Sequence, residues 1–399
     1  MSSSSAQAAG DSMSPDHGQV AALSLKIFDS FEEIEPVWRK LETEAYMSIY
    51  QGFRWLQLWH ELIGRRNGGE LALVVGERNG EPVFIWPFGI WRSGPVRIAR
   101  WLGGKYNNYN LGIWARAELA TVNAQDVMTA LREISASARI DTYELINQPE
   151  AWDGQRNPFM CLSHTPSPSN SYLLDLEPDF EGLYERRRSS RSRRTLRRKR
   201  ETMEQAGEVR FIHGTDRATI LRIVESLVAQ RDARAQTVGI PSIFASPGAL
   251  EMTRDILLDA LTSTEGPLMH AHALEVGGVI RATYIGGIYG DRYSCFLNSF
   301  RDDDLTATSP GDQLLHDLIR SSCENGLRHL DLGIGEERYK TSWCDPDPLF
   351  DSFIPMSRIG RLHAQLRGLR QSLKRQIKNN PVLWQAIKKA RKLRSRAGF

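Results

Sequence analysis

The sequence predicts a mixed α/β protein made of two similar units in tandem, followed by a basic helical tail. Three observations carry this. The chain has 399 residues, too many for one ordinary domain and enough for two with cores of their own. One order of elements, helices then a strand meander then a helix then a strand, runs along it twice. Finally, 41% hydrophobic and 25% charged residues suit a globular chain, neither disordered nor membrane-spanning.

The leader, residues 1–24, holds little that could pack and reads as disordered. Residues 25–46 and 51–63 read as helical, because apolar residues such as Phe53, Leu56, Trp59 and Leu62 recur at three-residue spacing. Gly64 is a stop. "ELALVVGERNGEPVFIWPFGIW" is a hairpin, with Asn79-Gly80 as its turn. "VRIARWLGG" and "YNLGIW" extend the strand pattern, and "KYNNYN" (105–110) either lines a cleft between the units or forms a polar turn. A helix over about 122–138 and the strand "DTYELINQ" complete the first unit, 25–165. The Pro/Ser-rich "HTPSPSNS" is the expected boundary.

The second unit, 170–356, opens with helices "PDFEGLYERRRSS" and "RSRRTLRRKRETMEQAG", begun by Pro178 and ended by Gly207. "EVRFIHG" is a strand, and two helices cover about 216–233 and 247–264. A meander of "LMHAHALEV", "VIRATYIGGIY" and "RYSCFLNSF" follows. In the helix "SPGDQLLHDLIRSSCENG", Leu314, Leu315, Leu318 and Ile319 make the buried face and Gln313 points to solvent. The strand "LRHLDLGIG" and the segment "EERYKTSW" close the unit.

Charge is strongly segregated. Thirteen Lys/Arg and no acid lie between Arg358 and Phe399, and ten more fill "RRRSSRSRRTLRRKR" (186–200). Without them the net +3 becomes about −20 for the body. Two basic elements on an acidic body suggest anionic partners or docking onto that body. If 186–200 is helical, Ser189, Ser192, Leu196 and Met203 form a narrow seam and arginines cover the rest. That is a solvated structural helix, to which contact with an anionic acceptor or a membrane adds a second role. No aromatic residue is interleaved, so a base-stacking platform is missing and nucleic acid ranks last among the partners. The four cysteines are scattered, without metal-ligand or disulfide spacing, which argues against a metal and suits a reducing cytosol. No apolar run could span a bilayer, and the start lacks a signal peptide's features.

Two segments could carry chemistry. Ser309, Pro310, Gly311 and Asp312 open a helix after a strand. Free N–H groups and the helix dipole make such a start a phosphate site, although a plain helix start looks the same. In "LRHLDLGIGEERYKTSW", Asp331 and Glu336 offer a base, Tyr339 a proton donor and Lys340 a cation, at or just past a strand end. Asp331 could equally serve loop hydrogen bonds. Asn298 and Arg301, at a strand end before the Ser-Pro-Gly segment, could line the same site. Arg231 and Arg234 either neutralise a helix dipole or meet an anion. His270 and His272 read as ordinary strand residues, since no partner cluster is visible.

The run S-P-G, a helix of about twenty residues, then L-D-L-G-x-G-x-E-x-Y-K-x-x-W resembles the CelD-like (cellulose-biosynthesis-type) acetyltransferases of the GNAT superfamily, which are related to the FemAB transferases. The Trp-rich helix, the hairpin and the Gly/Tyr stretch of the first unit fit the same pattern, over about residues 25–355. Phe88 after Pro87 and the density of the basic cluster depart from it. The resemblance implies two tandem GNAT-like folds and acetyl-CoA or another acyl-CoA as co-substrate. Its pyrophosphate would lie at Ser309–Asp312. The acceptor would be an amine of a small molecule or of a sugar, exopolysaccharide or cell-envelope precursor. In those terms Asp331 or Glu336 would deprotonate the amine, Tyr339 would protonate the thiolate, and Lys340, Asn298 and Arg301 would hold the acceptor. Two other functions stay open: a FemAB-type transferase drawing on aminoacyl-tRNA, and a non-catalytic scaffold at a membrane.

In the tail, 357–399, Leu362, Leu366, Leu369, Leu373 and Ile377 form one helical stripe, flanked by Arg361, Arg367, Arg370, Lys374 and Lys378. Pro381 opens a second amphipathic piece with Leu383, Ile387, Ala390 and Leu393. Such a helix either lies on an anionic membrane surface or packs its stripe on the body. The expected location is the cytoplasm, peripheral at the inner face of the membrane.

Overall fold

The computed structural model describes residues 22–239, 241–263, 268–380 and 382–386. Most of the expected leader, and Ile387, Ala390 and Leu393 of the tail, lie outside these residues.

The first half runs β1 (Ser24–Phe28), α1 (Phe31–Glu42), α2 (Phe53–Trp59), β2 (Glu70–Arg78), β3 (Glu81–Ser93) and β4 (Val96–Trp101). The two-residue β5 (Ile113–Trp114), α3 (Ala124–Ala138), β6 (Thr142–Pro149) and the small hairpin β7 (Ala151–Trp152) and β8 (Gln155–Arg156) follow. Residues 25–28 are a strand, not the start of a helix. They pair with β2, and α1 begins only where the Ser30 side chain accepts the Glu33 N–H. Asn79 and Gly80 have φ of 53° and 81°, the left-handed pair that a tight hairpin requires.

After β9 (Thr165–Asp175), α4 (Phe180–Arg187) and α5 (Ser190–Ala206), the second half repeats the plan. It runs β10 (Val209–His213), α6 (Arg217–Val238), α7 (Ala249–Leu258), β11 (Met269–Val276), β12 (Val279–Tyr289), β13 (Arg292–Phe300), α8 (Pro310–Glu324), β14 (His329–Asp331) and β15 (Pro346–Pro355). The tail helix is α9 (Arg358–Asn379).

All strands but β7 and β8 share one sheet, in the order β1-β2-β3-β4-β6-β15-β9-β14-β13-β12-β11-β10, with β5 beside β3. In each half a meander is followed by a helix and a parallel strand: β4 beside β6, and β13 beside β14. Each half then sends its last strand across. β9 follows β6 in sequence and pairs with β14, while β15 follows β14 and pairs with β6. The fold is therefore two tandem GNAT-like units joined by exchanged strands.

This exchange gives the Pro/Ser-rich passage a role other than a linker. It is the first part of β9. Pro166 and Pro168 can sit there because that stretch pairs only with β15, whereas β14 pairs with Leu173–Asp175. β15 is a full strand beyond the segment expected to close the unit. Gln313, expected at the surface, is buried and donates to the Leu196 carbonyl oxygen at 2.7 Å. That bond ties α8 to α5, whose Leu196 and Met203 enter the second core.

Candidate active site

β13 and β14 pair only through Arg292–Ser294 and His329–Asp331, then part. The gap opens beside the start of α8, and α5 lies across it. A cavity of about 670 Å³ results, lined by Arg188, Arg191 and Lys199 from α5 and its approach, Arg234 from α6, and Arg338. Its size is that of a pocket for a sizeable small molecule. Ser309 precedes α8 with a φ of 59° and does not cap it with its hydroxyl. That hydroxyl instead accepts from the Lys199 ammonium at 2.6 Å. At Gly311 a Cβ would meet nothing closer than Phe300, 3.8 Å away. Internal packing does not demand the glycine there, so the space is available to a ligand. An uncapped helix start with a lysine beside it suits a phosphate.

The cations are fixed by the protein itself. Arg188 is buried, donates to Asp312 Oδ2 at 2.9 Å and to the Ser342 hydroxyl, and stacks over Trp343 with its guanidinium carbon 5.3 Å from the ring. Asp312 is thereby occupied at the cavity wall, as the partner of Arg188. Arg234 stacks on Phe300. Toward the interior, Asn298 donates to the Tyr339 hydroxyl at 2.8 Å. Burial first, then the nearby charge of Glu337, raises the Tyr339 pKa well above the ordinary phenol value. Tyr339 therefore carries its proton at neutral pH and can donate it. Glu337 lines the same cavity.

Of the residues expected from the sequence, the cavity brings together Asn298, Ser309, Pro310, Gly311, Asp312 and Tyr339. It leaves out Asp331, Glu336, Lys340 and Arg301. Asp331 is fully buried, accepts from the Tyr109 hydroxyl at 2.6 Å and from the Gly333 N–H at 2.7 Å, and burial raises its pKa. Lys340 is 4% exposed, and its ammonium donates to the carbonyls of Gly333 and Ile334, at 3.3 and 2.9 Å. Burial lowers its pKa. Both hold the 331–340 loop, Asp331 through Oδ1 alone, and neither lines the cavity. Glu336 and Glu337 are both exposed, but only Glu337 lines the cavity, and Arg301 pairs with Asp303 at 3.2 Å. "KYNNYN" forms a bridge, since Asn108 donates to Cys295 of β13 at 3.0 Å while Tyr109 reaches Asp331 of β14.

Arg188, Arg191 and Lys199 come from the basic cluster expected to meet an anion, whereas Glu337 and Arg338 are charged lining residues that sequence reasoning did not single out. The signal was present in α5: Arg188, Ser192, Thr195 and Lys199 recur at four- and three-residue spacing beside the Leu196 seam.

Residues 190–341 match the family model described as an acetyltransferase (GNAT) domain. Among solved structures the chain is similar to FemX, at 8% identity, over 86% of this chain and 100% of that one, with a TM-score of 0.57. It is also similar to the C-terminal domain (DUF2156) of a protein from Agrobacterium fabrum named as a lysylphosphatidylglycerol synthetase. There the identity is 10%, the coverage 84% and 95%, and the TM-score 0.51. At these identities the likeness concerns the fold. No curated protein matches the chain by sequence. The fold is thus GNAT-like, and its second half contains the stretch that matches the acetyltransferase (GNAT) domain model.

Proposed function

We propose that the protein moves an acyl group, acetyl in the simplest case, from an acyl-CoA to an amine of a sugar or cell-envelope precursor. The observation behind this reading is the cationic cavity at the uncapped start of α8, which also takes in the exposed Glu337 and the half-buried Tyr339. Lys199, Gly311 and Arg191 would hold the phosphates of the donor. The bound thioester supplies an activated carbonyl. The amine attacks that carbon, its proton passes to Glu337, the C–S bond breaks, and Tyr339 protonates the departing thiolate. Glu337 replaces Glu336 and Asp331 as base because it alone of the three lines the cavity. We keep the division into units 25–165 and 170–356 as part of this proposal, with the acyl chemistry in the second.

A second donor, an aminoacyl-tRNA, is favoured by one observation. Arg191, Arg194 and Arg198 are exposed along one face of α5, starting at Arg191 in the cavity wall. Such a stripe suits a polyanion. Thermal unfolding separates the readings. Acetyl-CoA at about 100 times its Kd should stabilise the protein by roughly 2.7 kcal/mol, and tRNA should not. Stabilisation by tRNA alone would install the second donor. No response to either would leave the scaffold reading.

A further inference from the structure

The tail helix α9 turns its polar face, not its apolar one, toward the protein. His363 Nε2 lies 2.7 Å from Glu144 Oε1, Arg367 donates to Glu144 Oε2 at 3.3 Å, and Gln371 donates to Asp351 Oδ2 at 2.8 Å. Glu144 and Asp351 are buried on the sheet. Gly360 allows the close approach: a Cβ there would stand 1.8 Å from the Asp141 carbonyl oxygen. The sequence expectation that the leucine stripe could pack on the body is therefore not met.

The opposite face carries Ile359, Leu362, Leu366, Leu369 and Leu373, exposed by 45, 62, 51, 62 and 57%. Seven of the ten exposed large apolar side chains among the described residues lie between 359 and 383, so this is one patch and not scatter. Arg358, Arg361, Arg370 and Arg375 are exposed on the same helix. No Asp or Glu occurs from Met356 onward.

We propose that this face docks on an anionic lipid bilayer. The leucines would enter the interface, and the arginines would meet the headgroup phosphates. The 3-4-3-4 spacing of the apolar residues would also serve a two-helix seam with a second copy of the chain. Charge decides against that occupant, because two such helices would bring arginines together with no acid on either to pair them. No helix among the described residues is long and apolar enough to cross a membrane, which fits a helix lying on one.

The test is flotation of the full chain with vesicles of pure phosphatidylcholine or with about 30% phosphatidylglycerol, at low and high salt, beside light scattering for mass. At about 1 kcal/mol per basic residue near the surface, four arginines should raise partitioning on the order of 100-fold or more on the anionic vesicles. Salt should reduce it. Leu366→Asp with Leu369→Asp touches only exposed positions, so the fold should survive by circular dichroism while flotation is lost. Arg361→Gln with Arg370→Gln keeps the leucines and should lower the anionic preference about tenfold. Absence of flotation, or flotation that neither variant changes, would overturn the proposal. So would a dimer that the Leu366→Asp/Leu369→Asp variant dissociates without vesicles, which would make a second copy the occupant.

Discussion

The two halves share a topology and treat the same position in opposite ways. In the second half the gap between β13 and β14 is open and the start of α8, without a side-chain cap, lines the cavity. In the first half the gap between β4 and β6 is filled by the chain itself. The Asn110 N–H donates to the Asn147 carbonyl at 3.1 Å, and its side chain donates to Ile146 at 3.0 Å. The start of α3 is capped by Asn123, whose side chain accepts from the N–H groups of Gln125 and Asp126. The charges nearby are Glu118 and Asp126, paired with Arg78 at 2.5 and 3.9 Å, so an anion would meet acids there. Beside the start of α3, Phe84, Trp86 and Trp114 line a pocket of only about 20 Å³. The tandem fold thus leaves one helix start uncapped, with lysine and arginine beside it. It closes the other with a cap, carboxylates and aromatic rings.

The sharpest way to break this comparison is to mutate matched positions. Glu337→Gln should lower turnover of acetyl-CoA with an acceptor amine by about 10²–10⁴-fold, the usual range for a general base. Lys199→Ala should weaken acetyl-CoA binding by about tenfold or more, as expected for a lost hydrogen bond to a charged group. Asp126→Asn and Asn123→Ala, at the start of α3, should leave both within twofold. Calorimetric binding and rates of coenzyme A release check this, and a donor affinity that follows Asp126 would place a second site in the first half.

Next in size is the filling of the closed half. Trp86 is fully buried, with its ring centroid 4.1 Å from Phe84, 5.6 Å from Trp114 and 5.1 Å from Phe159. Trp86→Ala should cost about 3–5 kcal/mol of stability. Acetyl-CoA affinity, measured where the variant is still folded, should not move. Denaturant titration and isothermal calorimetry give the two numbers, and a joint loss would mean that the first half shapes the donor site.

Much of this contrast was legible in the sequence. Local chemistry marked the Asn79-Gly80 turn, the Ser-Pro-Gly helix start and the Leu196/Met203 seam, because each depends on neighbours a few residues away. Asn298 and Tyr339 were also visible as polar residues at strand and loop ends. What could not be read was set by distant partners. Asp331 and Lys340 look like cavity residues in the sequence, but Tyr109, 222 positions from Asp331, donates to one carboxylate oxygen and the Gly333–Ile334 carbonyls take the ammonium, outside the cavity lining. Glu336 and Glu337 are exposed in a loop with no period to say which one lines the cavity. The exchange of β9 and β15 is a non-local pairing that no local pattern encodes.

The smallest expected effect separates the outer edges of the two halves. The β1–β2 edge has no histidine, whereas β10 and β11 stack His213, His270 and His272. His213 Nε2 is 3.2 Å from His270 Nδ1, and the rings of His213 and His272 are 4.7 Å apart. Burial, with mutual repulsion at His270 and His272, lowers all three pKa values, His270 to about 4. An unfolded histidine titrates near 6.5, so between about pH 6.5 and 4 the unfolded chain binds more protons than the folded one. Stability is then complete above pH 6.5 and falls as pH drops through that window, by up to about 1.4 kcal/mol per pH unit for each extra proton. Between pH 6.5 and 5 the loss should be at most about 2 kcal/mol for each histidine held neutral in the fold. His272→Phe keeps a ring against Phe211, with which His272 already stacks at 5.5 Å, and removes one proton site. Its stability curve should be flatter than the parent's over this window in urea titrations at several pH values. Parallel curves would mean that the cluster does not set the acid limit, and that the two edges respond to acid alike.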